Sequence, residues 1–489
     1  MELIGYCQDG NLTALRDYCA RAEVTIARVH EAHALGRACG GGHLEVARWL
    51  QLAFQLTAAQ ARAYNNEALR EACKGGHLEV ARWLQQTFRL TAADARANNN
   101  EALYLACSYG HLEVARWLQQ TFQLTAADVR PDNVTWAVWL QQLFYPTTRK
   151  RVDIIDILAS TCLNGHLEVA RWLQQTFQLS AAEARAGDNM ALRWACCRGH
   201  LEVARWLQQT FRLTARDARA SDNGALIGAC WDGHLEVARW LQQTFRLTAA
   251  DARAKDNSAL RSACLYNFEI AQWLQQTFRL TTADARVWDN HCLGYVCEMG
   301  RLEVASWLHQ TFQLTPADAR AKNNWALRKA CANGHLEVAH WLQRTFQLTA
   351  ADARAANNFA LRLAIKHGHF EVARWLLQTF HLTAADAQVL GIVRQACIRG
   401  NPNTLRWVRR TWGIPSEALD VTLPTHPTCV AYLQSLHELR WSPRTHSEFP
   451  LATRRTVLAA LLVRERQARE AVSLPPELWL HLLSYLPAC

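Results

Sequence analysis

Cysteine and histidine recur together along this chain at a spacing that could bind a metal ion. In the Cys-Lys-Gly-Gly-His stretch at 73–77, a thiol and an imidazole lie four residues apart, and both groups are zinc ligands. Eleven cysteines share the first position: Cys7, Cys39, Cys73, Cys107, Cys162, Cys196, Cys230, Cys264, Cys297, Cys331 and Cys397. A closed zinc site needs four ligands, and each copy supplies only two. Because Ile365 fills the same position in another copy, we predict buried free thiols, structural histidines, no metal and no cofactor.

Known catalytic patterns do not explain these residues. His77-Leu78-Glu79 matches half of the zinc deaminase signature, but no proline opens the Pro-Cys-x-x-Cys half. The sequence also has no Walker loop, Gly-x-Ser-x-Gly or His-Glu-x-x-His. Residues copied along a chain are poor candidates for one active site, which needs a unique convergence of groups. We therefore predict that the protein is not an enzyme.

Tryptophan and arginine also recur, and spaced aromatic rings beside arginines can stack on nucleic-acid bases. Trp83, however, falls on the same helical arc as Val80 and Leu84, which predicts a position in the core. Acidic residues accompany the repeated arginines, although the formal net charge is +10. A solvated basic face is one interpretation, and a surface for nucleic acid or for an acidic partner is the other.

Copies of one 34-residue block supply the elements that hold these residues. Tryptophans mark the block at positions 49, 83, 117, 139, 172, 206, 240, 273, 307, 341, 375 and 407. A unit of this length cannot bury its own apolar face, so consecutive units must stack. We predict a repeat array over 1–420, with a shortened repeat at about 131–153, and a C-terminal tail over 421–489.

Each block predicts three helical segments. Helix A is expected over 67–74, capped by Asn66, and helix B over 77–88. Between repeats, Thr91 and Asp94 form a capping-box pattern that predicts a third, short helix. Half of the residues are hydrophobic, yet no apolar run reaches the length that crosses a bilayer. The free cysteines and the start of the sequence favour an intracellular protein, cytoplasmic or nuclear, with a host cell as one option for the cell that contains it.

The two longer helices resemble those of the ankyrin repeat, in which a Leu-x-x-Ala-Ala-x-x-Gly-His stretch leads into a leucine-rich second helix. The matching pattern here is Ala-Leu-x-x-Ala-Cys-x-x-Gly-His-Leu-Glu-Val-Ala-Arg-Trp-Leu. Two segments depart from the family: 67–70 replaces Thr-Pro-Leu-His, and 90–97 replaces the finger hairpin. The resemblance implies an all-α, ankyrin-like α-solenoid of about twelve 34-residue repeats. Arrays of this type look like those of large DNA viruses and of protists or algae.

Comparing the repeats with one another separates uniform positions from varied ones. Helix B barely changes, whereas helix A varies at the residue after the capping asparagine, at an internal pair and at the pair before the glycine. The resemblance implies that these positions line a partner-binding surface, and exposed aromatic residues and arginines commonly anchor interfaces. Relaxed drift at exposed sites is the alternative. The candidate partner-binding residues are Tyr104, Tyr109, Arg193, Trp194, Trp231, Tyr295, Trp325, Arg328, Phe359 and Arg362. We expect the aromatic ones to be more exposed than the tryptophans of helix B and to lie on one side.

The tail ends in a segment, 473–489, that resembles the first helix of an F-box and the end of a SOCS box. Its motifs are Leu-Pro-Pro-Glu-Leu-Trp and Leu-Leu-Ser-Tyr-Leu. The resemblance implies a Skp or elongin C type adaptor, although two F-box helices and the SOCS cysteine are missing. A helix that caps the last repeat is the alternative. The predicted adaptor-binding residues are Leu474, Pro475, Leu478, Trp479, Leu482, Leu483 and Leu486.

Together these patterns predict a scaffold that binds a partner protein on helix A, with recruitment of a cullin ubiquitin ligase as a more specific form. A basic scaffold associated with nucleic acid is the alternative from another class. No association with a membrane is expected.

Overall fold

The computed structural model describes residues 2–22, 24–31, 33–129 and 154–412, which divide between two compact units. Unit 1 is Met1–Arg279 and unit 2 is Leu280–Cys489. Over the described ranges, every regular element is helical, so the expected all-α repeat fold is confirmed there. The predicted shortened repeat at 131–153 and the tail at 421–489, with its 473–489 segment, lie outside the described residues.

Twelve pairs of helices A and B follow one another in the described residues. In unit 1, helix A spans Glu2–Gln8, Ala34–Gly40, Ala63–Lys74, Ala97–Ser108, Ile154–Leu163, Ala186–Cys197, Ala220–Asp232 and Ala254–Tyr266. In unit 2 it spans Val287–Glu298, Ala321–Ala332, Ala355–Lys366 and Val389–Arg399.

Helix B follows after a short turn. In unit 1 it spans Leu12–Arg21, Leu44–Ala53, Leu78–Phe88, Leu112–Phe122, Leu167–Phe177, Leu201–Phe211, Leu235–Phe245 and Phe268–Phe278. In unit 2 it spans Leu302–Phe312, Leu336–Phe346, Phe370–Phe380 and Pro402–Trp412.

A short helix, here called the connector, follows each helix B in the described residues except the last. These connectors are Ile26–Glu31, Ala58–Ala61, Ala92–Ala95, Ala126–Val129, Ala181–Ala184, Ala215–Ala218 and Ala249–Ala252 in unit 1. In unit 2 they are Thr282–Ala285, Pro316–Ala319, Ala350–Ala353 and Ala384–Ala387. The predicted capping box is present, because the Thr91 amide donates to Asp94 Oδ2 at 2.7 Å and its hydroxyl donates at 3.0 Å. The replacement of the finger hairpin by a helical connector is therefore confirmed for residues 92–95.

Helix A begins differently from the prediction. Tyr64, Asn65 and Asn66 are all left-handed, with φ of 52°, 57° and 58°. Asn66 Oδ1, the atom that would accept a capping hydrogen bond, has no partner. The prediction that Asn66 caps helix A is therefore wrong. Asparagine is instead suited to this turn because it tolerates left-handed φ better than most residues do. The turn recurs at 98–100, 187–189, 221–223, 255–257, 288–290, 322–324 and 356–358, and an asparagine always occupies its third position.

Within each unit, the helices A of consecutive repeats pack side by side. The core between them is built from small side chains, such as Ala72 and Cys73, together with Val80, Leu84 and Phe88 of helix B, all of which are buried. None of the described helices has both the length and the apolar character needed to cross a membrane.

The repeats on either side of 131–153 contact each other directly. Helix A at Ala97–Ser108 packs against helix A at Ile154–Leu163. The hydroxyl groups of Ser108 and Ser160 are hydrogen-bonded, and Asn164 Nδ2 donates to the Ser108 carbonyl at 3.0 Å. These two helices A therefore pack directly against each other, although 24 residues of the chain between them lie outside the described ranges.

Candidate partner-binding site

An acidic side chain in the connector ties successive repeats together and so positions helix A. Asp94 Oδ1 accepts a hydrogen bond at 2.8 Å from Arg62 Nε of the preceding repeat, while Asp94 Oδ2 caps the connector through Thr91. Corresponding arginine and aspartate pairs are Arg96 with Asp128, Arg185 with Asp217, Arg219 with Asp251, Arg286 with Asp318, Arg320 with Asp352, and Arg354 with Asp386. Burial raises the pKa of Asp94, but the hydrogen bonds from Arg62 and Thr91 outweigh it and the net shift is downward. The carboxylate therefore stays ionised and holds the repeat spacing.

The repeated histidine has the structural role that the sequence predicts. His77 Nε2 donates to the Gly40 carbonyl, 3.1 Å away at the end of the preceding helix A. His111 contacts the Lys74 carbonyl in the same way at 2.9 Å. Burial is the main cause of the lowered pKa of His77, which favours a neutral ring at pH 7. The contact satisfies a carbonyl that a helix end would otherwise leave without a partner.

The repeated cysteines are core residues. Cys73 and Cys107 are fully buried free thiols, and burial raises the pKa of both. In the part of the chain that the structure describes, no group of three or more His, Cys, Asp or Glu side chains could hold a metal ion.

The repeated tryptophans of helix B are less buried than predicted. Trp172 is 9% exposed, but Trp83 and its other counterparts in the described residues are half-buried. The Trp83 ring meets the Phe88 ring edge to face, with centroids 5.7 Å apart. The ring is therefore packed against Phe88 but is not part of the fully buried core.

Five of the repeated arginines of helix B are paired with a glutamate of their own helix. Arg205 Nη1 lies 3.4 Å from Glu202, and Arg374 Nη1 lies 2.9 Å from Glu371. The corresponding arginines at 48, 171 and 239 have the same i, i+3 partner. Both repeated sets of arginines are thus largely neutralised locally, which weakens the case for a nucleic-acid surface on helix B.

Several of the varied residues of helix A pack between repeats. A Cβ at Gly294 would overlap the Trp325 ring of the next repeat, and one at Gly224 would lie 2.9 Å from Arg193 Cδ. Arg70 forms an ion pair with Glu101 of the next repeat at 2.6 Å. A large side chain therefore faces a glycine at two of these junctions, and a basic side chain faces an acidic one at the third.

A connected group of these varied residues lies in unit 2. The Tyr295 and Trp325 rings meet edge to face with centroids 5.2 Å apart. The Arg328 guanidinium lies 4.9 Å from the centroid of the Phe359 ring. Of the predicted site residues, Tyr104, Arg193, Trp194, Tyr295, Trp325, Arg328, Phe359 and Arg362 are half-buried. Their exposure is like that of the helix B tryptophans, so the expected difference is absent for them.

The most exposed of the predicted residues lie at the C-terminal end of helix A, in the pair before the glycine. Tyr109 is 51% exposed and Trp231 is 50% exposed, as predicted. The Trp231 ring contacts the ring of Tyr266, 42% exposed, with centroids 5.0 Å apart. The sequence comparison missed Tyr266 because Asn267 replaces the usual Gly-His there and the alignment of the pair is lost. Met299, in the corresponding pair of unit 2, is also exposed.

The predicted adaptor-binding residues lie outside the described residues. Leu474, Pro475, Leu478, Trp479, Leu482, Leu483 and Leu486 all fall in this part of the chain.

Comparisons with known proteins identify the repeat. A family model described as ankyrin repeats, in three copies, matches residues 35–130. A solved structure of an ankyrin repeat family protein from Legionella pneumophila is 17% identical, with 70% of this chain and 88% of that chain covered and a TM-score of 0.26. No curated protein matches the chain. Residues 35–130 of this protein are therefore similar to ankyrin repeats in sequence, and the repeats described on both sides of them have the same helices A and B.

Proposed function

We propose that this protein is a non-enzymatic scaffold that binds a partner protein through the varied end of helix A. The observation that supports this most directly is the pair of neighbouring aromatic rings at Trp231 and Tyr266, which are exposed on consecutive repeats. Burying half-exposed aromatic rings of this size is the usual source of energy at a protein interface. The uniform core supports each pair, so its identity can change without disturbing the fold.

The test compares co-purified proteins between two variants. Tyr109→Ala with Trp231→Ala removes two exposed rings from helix A, whereas Leu52→Ala removes a side chain that is 72% exposed on helix B. Proximity labelling in the source cell identifies the partner with the wild type. The partner should be lost with the double variant and retained with Leu52→Ala, while circular dichroism stays unchanged for both. Retention of every partner by the double variant would exclude this surface.

The more specific form of the proposal is that the tail recruits a cullin ubiquitin ligase. Its support is the resemblance of 473–489 to an F-box or SOCS box. Leu478→Asp with Leu482→Asp should abolish co-purification of a Skp or elongin C type adaptor and leave the repeats folded. Unfolding of the last repeats in that variant, or a wild type that captures no adaptor, would make the segment a cap.

The free, buried cysteines favour a reducing compartment inside a cell for this scaffold. The viral, protist or algal origin inferred from the array stays a prediction.

A further inference from the structure

The helices A of unit 2 carry an excess of positive charge. Between Val287 and Lys366, their basic residues are Lys322, Arg328, Lys329, Arg362 and Lys366, and their acidic residues are Asp289 and Glu298. Glu298 is already used, because it pairs with Lys329 Nζ at 2.7 Å. The helices A of unit 1, in contrast, carry more acidic than basic residues. The positive charge is therefore specific to unit 2.

Four of these cations have no carboxylate within 4.0 Å among the described residues: Lys322, Arg328, Arg362 and Lys366. We call them the basic cluster. Two of the guanidinium groups bond to backbone oxygens, Arg328 Nη2 to Lys322 O at 2.8 Å and Arg362 Nη1 to Asn357 O at 3.4 Å. These contacts fix the directions of the side chains and leave their charge uncompensated.

The cluster lies on one side of two adjacent helices. Arg328 and Arg362 occupy the same position of consecutive repeats, each three residues after an aromatic residue. Lys366 is one turn beyond Arg362, and i, i+4 residues share a helix face. The Lys322 ammonium lies 5.3 Å from the centroid of the Trp325 ring, at the start of the same helix.

The rings in this region are poorly placed to stack on nucleic-acid bases. Trp325 lies over Gly294, contacts Tyr295 edge to face and has the Lys322 ammonium on it. Phe359 lies under the Arg328 guanidinium. Base stacking needs an open ring face. A peptide carboxylate, in contrast, needs only a fixed cation, and a guanidinium binds it well.

We propose that this surface of unit 2 binds an acidic, extended segment of the partner protein. Neighbouring packed helices lie about 8 to 10 Å apart. An extended chain in the polyproline II conformation has three residues per turn and rises about 3.1 Å per residue, so side chains three residues apart share one face and lie about 9 Å apart. Acidic side chains three residues apart would therefore meet Arg328 and Arg362 in succession. The proposal rests on the scaffold function above and adds the chemistry of what is bound.

The test uses a labelled 12-residue peptide with glutamate at every third position and serine or alanine between, and full-length protein. Its control peptide has glutamine at the same positions. Lys322→Gln with Lys366→Gln lowers the charge of the cluster by two without touching Arg328 or Arg362. Arg344→Gln with Arg374→Gln makes the same change of charge on helix B of unit 2. Fluorescence polarisation at low salt then compares affinities.

The wild type should bind the glutamate peptide and not the glutamine peptide. The cluster variant should lose about tenfold in affinity, and the helix B variant should stay within about twofold of the wild type. Equal binding of both peptides, no binding of either, or equal losses in both variants would overturn the proposal. So would oligo(dT) that displaces the peptide and binds more tightly, because the ligand would then be a nucleic acid.

The two proposals fail in different ways. If the protein shows no preference for the glutamate peptide but still needs Tyr109 and Trp231 to capture its partner, only the acidic ligand proposed for unit 2 is excluded. If the variant that lacks both rings still captures the partner, the scaffold function proposed for helix A is itself excluded.

Discussion

The carboxylate of the connector shows how one residue holds two repeats in place. In unit 2, Asp318 accepts hydrogen bonds from Arg286 Nε at 2.7 Å, from Asn290 Nδ2 at 3.2 Å and from the Thr315 amide at 2.7 Å. The side chain of Asn290 is buried at the end of the left-handed turn. A single acidic group therefore joins the connector of one repeat to the turn of the repeat before it.

This arrangement predicts a defined dependence of stability on acid. Burial raises the pKa of Asp318, but its hydrogen bonds with Arg286, Thr315 and Asn290 lower the pKa to about 2 in the folded state. An unfolded aspartate has a pKa of about 3.9. The stabilisation is therefore fully present above about pH 5 and is lost as the pH falls towards 2. Asp318→Asn should lower the melting temperature at pH 7, and its difference from the wild type should shrink between pH 4 and 2.

The control for this experiment is Asp289→Asn, which removes an exposed carboxylate from the same helix region of unit 2. In thermal melts from pH 7 to pH 2, the melting temperature of Asp318→Asn should approach that of the wild type as the pH falls. Asp289→Asn should show no such convergence. Parallel curves for Asp318→Asn and the wild type would contradict the assignment.

A second prediction concerns the fit of Trp325 on Gly294. Alanine is ordinarily better than glycine inside a helix by about 1 kcal/mol. Gly294→Ala should nevertheless destabilise unit 2 by about 1 to 3 kcal/mol, because its Cβ would overlap the indole. Trp325→Ser, the residue found at Ser258 in the same position, should remove the overlap and restore the favourable effect of alanine. Urea unfolding of the two single variants and the double variant measures this, and additive effects would show that the contact does not limit the substitution.

At the scale of elements, local sequence predicts the helices well and their entry turns poorly. The periodic apolar residues of 77–88 and the Thr91 and Asp94 pair describe contacts within a few residues, so the sequence identifies both segments. The pairing of Arg62 with Asp94 joins residues 32 positions apart and follows only when the repeats are stacked. The left-handed turn was missed because a single asparagine suits both a cap and a positive φ.

The turn predicts that glycine is stabilising at a particular position. Ala356 is exposed and has φ of 52°, although alanine is strained by left-handed backbone. Gly187 already occupies the corresponding position of another repeat, with φ of 59°. Ala356→Gly should stabilise unit 2 by about 0.5 to 1 kcal/mol. Ala355→Gly, one residue earlier, serves as the control and should destabilise it, as measured by thermal melting. A lower melting temperature for Ala356→Gly would contradict the left-handed assignment.

The candidate binding site is only partly readable from the sequence. Variation between repeats correctly identified Tyr109 and Trp231 as exposed. It could not distinguish them from Trp325 or Arg193, whose variation matches a neighbouring glycine across a junction. Variation at exposed positions and variation that matches a neighbouring repeat look alike in the sequence of one repeat. They can be told apart only when the packing of the next repeat is known.

At the scale of the whole molecule, the buried thiols report on the integrity of the stack. Cys73, Cys107, Cys196 and Cys230 are fully buried, and burial raises the pKa of each. Among the described cysteines, Cys19 and Cys197 are the partly accessible ones. A thiolate must form and be reached before it can be alkylated.

We therefore expect iodoacetamide at pH 8 to label Cys19 and Cys197 before the other cysteines whose side chains the structure describes, as measured in the native protein by mass spectrometry of peptides. In denaturant, the buried cysteines should become labelled in groups, because adjacent repeats support each other. Cys197→Ser removes one reactive site and is the control for the assignment. Rapid labelling of Cys73 or Cys230 in native protein would contradict the packing of helix A.

The uniformity of helix B also has a consequence for how such a chain can change over generations. The 11-residue sequence of Leu78–Phe88 is repeated without change at Leu112–Phe122, Leu167–Phe177, Leu201–Phe211 and Leu235–Phe245. Recombination between coding segments for two of these copies would delete or duplicate whole repeats and leave the surroundings of every remaining helix B unchanged. Only the junctions between helices A would acquire new neighbours, such as a glycine that no longer faces a large side chain. Whether a chain with an added or a lost repeat still folds would thus depend on helix A, which is also the helix that carries the varied surface.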